Sequence, residues 1–330
     1  GVMAMGLVAC GSGSDTAADT TTSTSTATDT ADDSESSDLL GSADATIHLK
    51  VGTTTAPDGH YVLGLVEMQK KLEEYSNGEM TLDIYPNSAL GGESDMMDAV
   101  SMGTQDMVLS STGPIPDFSS ATDNWATLDL PYLFETAEDA YKVLDGEIGQ
   151  SLLDEFQGSG IKAIGFWENG FRELTNNTKE VATPADLAGM KIRTMENPYH
   201  MAFWKALGAN PTPMSFSEVY IGLQQHTIDA QENPYEVIVS NNLFEQQDYV
   251  VETNHLPHLI SLIVNDDFFR DLPEEEQAIM AEAAQKATEY ARDQSDARIA
   301  DRIATIEDSG TQVVTLSEEL HDQIRDISQP

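Results

Sequence analysis

Two arginines, Arg172 and Arg193, stand in the only long stretch of this chain that is not acidic. Residues 161–210 carry six basic side chains against five acidic ones, whereas the whole sequence has a net charge of -41. A protein this anionic repels anions at long range, so a guanidinium recruits a small carboxylate only by direct pairing at short range. The planar fork of arginine offers two parallel donors to the two oxygens of a carboxylate, which lysine does not copy. Arg193 follows Met190, Lys191 and Ile192 in a predicted buried strand, a costly place for a cation unless it is paired. Its partner is either an internal acid, Asp186 or Glu196, or a visiting one, and the spacing leaves both open. Arg172 sits in Gly170-Phe171-Arg172-Glu173-Leu174-Thr175-Asn176, just past a predicted strand end, where open α/β sheets meet their ligands. Taken alone, a surface pair with Glu173 or Glu168 is the more ordinary reading of Arg172.

Other chemistries find less support. The only Gly-Ser cluster lies in the low-complexity amino-terminal stretch, and no glycine-rich loop with phosphate-binding spacing follows a strand. His255-Leu256-Pro257-His258 comes nearest to metal-ligand spacing, but its proline breaks a helical pair and no third ligand accompanies it. Glu232, near Asp229, offers half of a carboxylate pair for glycoside hydrolysis, a weak signal in a chain with 57 acidic residues. The residues therefore read as a binder of a small organic acid, not an enzyme, with no cofactor and no metal. Trp167, Phe171, Trp204 and Phe216 are core candidates whose ring faces, beside the arginines, could line a pocket; Trp167 and Phe216 are taken as ligand contacts.

The amino terminus points to an extracytoplasmic setting. Leu7-Val8-Ala9-Cys10 is similar to a bacterial lipobox, whose cysteine is acylated, so residues 1–10 read as a lipoprotein signal trimmed at its front. Cys10 is the only cysteine, which excludes disulfides and thiolate clusters. Residues 11–46 are Ser, Thr, Ala and Asp with eight acidic residues and no basic or aromatic ones, a composition for a disordered linker holding a domain off a membrane. The acidity argues against nucleic acid and anionic lipid as partners.

The positioning elements follow from periodicity. Ile47, Leu49 and Val51 alternate as a strand, Tyr61 to Tyr75 has helical spacing, and Met80, Leu82 and Ile84 form a second strand. A helix through Val100, a strand from Asp106 to Ser110, strands at Ile161 to Trp167 and Met190 to Thr194, and a helix from Pro198 to Leu207 closed by Gly208 continue an α/β pattern that restarts midway. Between Leu272 and Asp308 lies the longest helix, with Pro273 and three glutamates in its first turn and an apolar stripe of Ile279, Met280, Ala283, Ala287 and Tyr290. Its alanine-rich face lacks heptads and so suits a brace across a hinge better than a coiled coil.

Several segments together resemble one family. The Arg172 segment, Lys191-Ile192-Arg193, the run from Leu207 to Tyr220, Asp229-Ala230-Gln231-Glu232-Asn233-Pro234 and Thr253-Asn254-His255 are similar to the solute-binding subunits of tripartite ATP-independent periplasmic (TRAP) transporters, of the dicarboxylate-binding type. Tyr85-Pro86 before Leu90-Gly91-Gly92-Glu93, and Leu130-Pro131-Tyr132-Leu133-Phe134, agree. The resemblance runs from Ile47 to about Thr315 in order.

That resemblance implies a type II periplasmic-binding-protein fold, with two α/β domains joined by a hinge and a long carboxyl-terminal helix. The expected domains are residues 47–169 with 259–298, and 170–258 with 299–330. It implies that Arg193 pairs with the substrate carboxylate, that Arg172 and Asn233 assist, that Phe216 flanks the ligand, and that Thr54 and Ser111 lend polar contacts from the first domain. Ser111 stands where sialic-acid binders have glutamate, which disfavours that ligand. The partners implied are membrane permease subunits driven by an ion gradient, with a lipid on Cys10 anchoring the protein at the cell surface or in the periplasm. A sensor subunit docking on a receptor kinase, or a secreted hydrolase, are the alternatives. The family continues past Pro330, which implies a clipped carboxyl end.

Overall fold

The computed structural model describes residues 39–328, so Cys10, its lipobox and most of the predicted linker lie outside the described residues. Along the chain, β1 (Ile47–Gly52), β2 (Met80–Tyr85), β3 (Met107–Ser111) and β4 (Ile161–Phe171) come first. Then follow β5 (Glu173–Asn176), β6 (Lys191–Thr194), β7 (Asn210–Pro213), β8 (Ala230–Asn233) and β9 (Tyr249–Glu252). The chain ends with β10 (Pro257–Asn265) and β11 (Gln312–Thr315). They form two sheets, one in the order β2-β1-β3-β10-β4 and the other β11-β9-β5-β8-β6-β7. In the first, β1 runs parallel to β2 and β3, and β10 lies antiparallel between β3 and β4.

Each sheet is covered on both faces, which is why the interior strand β10 is buried along its whole length and largely apolar. On β10, Ile260, Leu262 and Val264 join the core under the helices His60–Tyr75 and Glu274–Asp308, while Leu259 and Ile263 face the opposite core around Trp125 and Phe156. The period-2 alternation that sorts these residues also sorts Phe166 and Trp167 of β4 onto opposite faces. The second sheet packs Phe203 and Trp204 of the helix Pro198–Ala206 on one face and Val237 and Ile238 of the helix Tyr235–Ser240 on the other. β7, which carries Pro211 and Pro213, is an edge strand that the sequence reading left without an element; proline is tolerated there because an edge needs fewer N–H donors.

The long helix spans Glu274–Asp308, 35 residues and so roughly 50 Å, starting directly after Pro273. Met280, Ala283, Ala284, Ala287 and Ala291 belong to the first core, and Ile306 to the second, so one helix packs on both sheets. Its alanines keep the buried side thin, allowing close approach to its neighbours. The chain itself passes from first sheet to second between Phe171 and Glu173, with Arg172 the single residue between strands, and returns between Glu252 and Pro257. A third crossing, through the long helix, leads to β11, and the first two are tied together: the Arg172 N–H donates to the Leu256 carbonyl at 2.8 Å, and the Thr253 hydroxyl to the Arg172 carbonyl at 3.4 Å.

Candidate functional site

Arg193 lies on β6, between the parallel strands β7 and β8, and is 3% exposed. Neither predicted internal acid pairs with it. Its Nε and Nη2 donate to the Met214 carbonyl at 3.0 and 2.8 Å, and Nη1 has no hydrogen-bond partner among the described residues. Asp186 is occupied elsewhere, accepting from the Thr183 N–H and hydroxyl at 2.8 and 2.9 Å. Burial, then the like charge of Arg172, lowers the Arg193 pKa to about 10, so it remains a cation at neutral pH. The Phe216 ring lies under it, 5.8 Å from guanidinium carbon to ring centroid.

Around Arg193 the cleft has two adjoining compartments, of about 160 Å³ and about 30 Å³. Both are lined by Thr54, Glu93, Arg193, Met195 and Phe216, and the smaller adds Ser111 and Asn233. Thr54 lies just beyond the end of β1, while Ser111 and Asn233 close β3 and β8. Carboxyl ends of parallel strands from both sheets thus converge on one cavity, where side chains can project beyond the hydrogen-bond ladder. Five predicted contacts, Thr54, Ser111, Arg193, Phe216 and Asn233, are brought together here, although they come from five separate stretches of chain.

Glu93 was missed as a site residue. Its carboxylate accepts from the Ser111 N–H at 2.8 Å and the Ser111 hydroxyl at 2.6 Å. Burial pushes its pKa up, opposed by these hydrogen bonds and by Arg193. In sequence it reads as an acid opening the helix Glu93–Ser101, a position the helix dipole explains without a ligand.

Two predicted contacts do not reach the cleft. Trp167 is fully buried in the first core, because strand alternation turns it toward the helices and away from the cavity. Gly64 makes room for it; a Cβ there would lie 2.6 Å from the indole. Arg172 is also fully buried and stands behind the cavity, not in it, paired with neither Glu173 nor Glu168. Its Nε and Nη2 hold the Glu232 carboxylate at 2.5 and 2.9 Å, and Nη2 also reaches the Glu232 carbonyl. Its Nη1 is buried with no partner among the described residues.

That pairing disposes of Glu232 as a catalytic acid. Burial alone would raise its pKa, but the Arg172 charge and the His255 hydrogen bond hold it well below the usual carboxylate range. A general acid needs the opposite shift. His255 Nε2 lies 3.0 Å from the Glu232 carboxylate, and burial lowers the pKa of its imidazole, opposed by that acid. His258 borders the cleft with Tyr61, and burial drives its pKa well down.

A separate cavity of about 360 Å³ is lined by Glu168, Glu173, Glu252 and Asp296. Arg302, its only lining arginine, is already held by Glu236 at 2.6 and 3.1 Å. With its only arginine already paired, this cavity offers an organic anion no free cation, so cavity size does not decide the site.

The family described as bacterial extracellular solute-binding protein, family 7, matches residues 51–330. The 2,3-diketo-L-gulonate-binding periplasmic protein YiaO of Escherichia coli K12 is 35% identical over 292 residues, 87% of this chain and 88% of that protein. A TRAP periplasmic solute-binding protein from Polaromonas sp. JS666, crystallised with D-erythronate, is 37% identical with a TM-score of 0.82, covering 86% of this chain and 92% of its own. Another, from Sulfurospirillum deleyianum with bound succinate, is 30% identical with a TM-score of 0.81, covering 86% and 92%.

Proposed function

The chain belongs to the bacterial extracellular solute-binding proteins of family 7, transport proteins and not enzymes, and we propose that Arg193 is the carboxylate grip of its binding site. In this reading the protein works outside the cytoplasm, captures a small organic acid, a C4-dicarboxylate or related carboxylate, and delivers it to TRAP permease subunits for uptake driven by an ion gradient. The relatives that hold D-erythronate and succinate fit that chemical class. A lipid on Cys10 would keep the protein at the membrane surface.

One observation carries the reading. Arg193 is a buried cation in a cleft, and no carboxylate is hydrogen-bonded to it among the described residues. Burying an arginine without a counter-ion is costly, and an arriving carboxylate recovers that cost. Thr54 and Ser111 supply polar groups from the first sheet's side; Asn233 and Phe216 face them from the second. The two sheets act as the domains of the capture step, with the Arg172 crossing and the Glu252-to-Pro257 return as the hinge. Closing one sheet's side on the other removes water and strengthens the pair.

The test is a thermal-shift screen over organic acids. A ligand at about 100 times its Kd stabilises by about 2.7 kcal/mol, a clear rise in melting temperature. Silence from every mono- and dicarboxylate would end the reading, as would recovery of a ligand chemically altered after incubation.

A further inference from the structure

Asn233 reaches the cleft at the end of a line of buried side chains that crosses the second sheet. Its Nδ2 donates to the Gln231 Oε1 at 2.6 Å, the Gln231 Nε2 donates to the Thr175 hydroxyl at 2.9 Å, and that hydroxyl donates to the Gln247 Oε1 at 2.6 Å. The Gln247 Nε2 ends the line on main chain, donating to the Gln246 carbonyl at 2.7 Å and the Asp229 carbonyl at 3.5 Å. Strand register makes the line possible. Gln231 on β8 stands opposite Thr175 on β5 and, on its other side, opposite Arg193 on β6. Asn233, two positions on, projects from the same face, and Gln247 enters from the turn Leu243–Gln246 that precedes β9.

The sense of this line is fixed from its far end. All four side chains are buried, so their polar atoms depend on one another for partners. The Gln247 atom that meets two carbonyls is its nitrogen, because a carbonyl only accepts. Its oxygen then faces Thr175, whose hydroxyl gives it its single proton and must accept from Gln231. Gln231 is left with its oxygen toward Asn233, and Asn233 must turn its nitrogen inward. What Asn233 keeps for the cleft is Oδ1, which accepts nothing among the described residues, and the second hydrogen of Nδ2. Reversing the Asn233 amide would set two oxygens face to face. Reversing Gln231 with it would ask one hydroxyl proton to serve two acceptors.

We propose that Thr175 and Gln247, which line neither compartment of the cleft, are positioning residues for ligand binding that act through Gln231 to fix which atoms of the Asn233 amide face the ligand. This rests on the cleft as the carboxylate site with Asn233 among its contacts. A free amide turns over to suit either a donor or an acceptor; a locked one discriminates between them and loses no rotational freedom on binding.

Calorimetry on the full chain tests this with D-erythronate, succinate, galactonate and glucuronate as probes, and thermal shifts rank variants too weak for calorimetry. For the acid that the parent binds most tightly, Thr175→Val, close in shape but without the hydroxyl, should weaken binding by about fivefold or more. Thr175→Ser, which restores the hydroxyl, should stay within about twofold of the parent. Gln247→Met breaks the line one link further out and should give the Thr175→Val result even where that variant folds poorly. Asn233→Ala should itself weaken binding by about fivefold or more, and Thr175→Val added to it should change affinity by less than about twofold, because the line then has nothing to position. A loss that multiplies undiminished on top of Asn233→Ala is what general loosening of the sheet would give, and it overturns the proposal. Unaltered affinity in Thr175→Val, or no rescue by Thr175→Ser, removes the positioning role while leaving the carboxylate site intact. If none of the four acids binds the parent chain, the carboxylate reading falls and the proposal with it.

Discussion

Arg172 and Glu232 form a fully buried two-point ion pair at the single residue where the chain passes from one sheet to the other. Its position assigns the two arginines different work. Arg172 is spent on the protein, and Arg193, which binds only a carbonyl, is available to a ligand.

Removing one partner of that pair leaves an uncompensated buried charge. Arg172→Ala should cost about 3–5 kcal/mol of stability in urea titrations. Arg172→Met combined with Glu232→Leu should recover a large part of it. If the single variant were no less stable than the parent, the pair would not hold the crossing.

Arg193→Ala acts on binding. With the acid that gives the largest thermal shift, calorimetry should show a loss of about 2–5 kcal/mol, a factor of tens to thousands in affinity. Arg193→Lys should fail to restore it, because an ammonium does not reproduce the planar fork. Either variant within threefold of the parent would exclude Arg193 as the grip.

Trp167 and Gly64 separate core from site. Gly64→Ala forces a Cβ against the indole and should destabilise by about 1–3 kcal/mol, with affinity unchanged in the fraction that folds. Trp167→Phe should likewise lower the melting temperature and leave Kd alone. A selective loss of affinity in either variant would return Trp167 to the cleft.

Glu168 sets a pH dependence of stability. Burial pushes its pKa up to about 7, against hydrogen bonds from Ser295, Tyr141 and the Gly170 N–H. The folded state thus binds this proton more tightly than the unfolded chain. Its contribution is fully present below the usual value of 4.5 and is lost as pH rises through about 7. Glu168→Gln does not titrate, so between pH 5 and pH 8 the stability difference should move in its favour by about 2–3 kcal/mol. Parallel pH profiles in urea melts would refute the assignment.

Much of the architecture was legible in the residue order. Period-2 alternation at Ile47, Leu49 and Val51, helical spacing from Tyr61 to Tyr75, and the alanine stripe after Pro273 each state locally which face is buried, so β1 and the helices His60–Tyr75 and Glu274–Asp308 fall close to where periodicity puts them. The guanidinium in a buried strand was also legible, since its desolvation cost is a property of that residue in that pattern.

Residue order did not decide who pairs with whom. Arg172 had acids next to it at Glu173 and Glu168, yet it pairs with Glu232, 60 positions away, because β5 and β8 lie antiparallel and bring that carboxylate to the crossing. Trp167 is indistinguishable in sequence from a ligand platform, and only the register of β4 against β10 sends it into the core. Glu93 had a sufficient local explanation at a helix start, and its place opposite Arg193 follows from two sheets converging on one cleft. Local patterns fix burial and secondary structure because those depend on near neighbours along the chain. Charge pairing depends on which surfaces meet in space, and that only the tertiary fold decides.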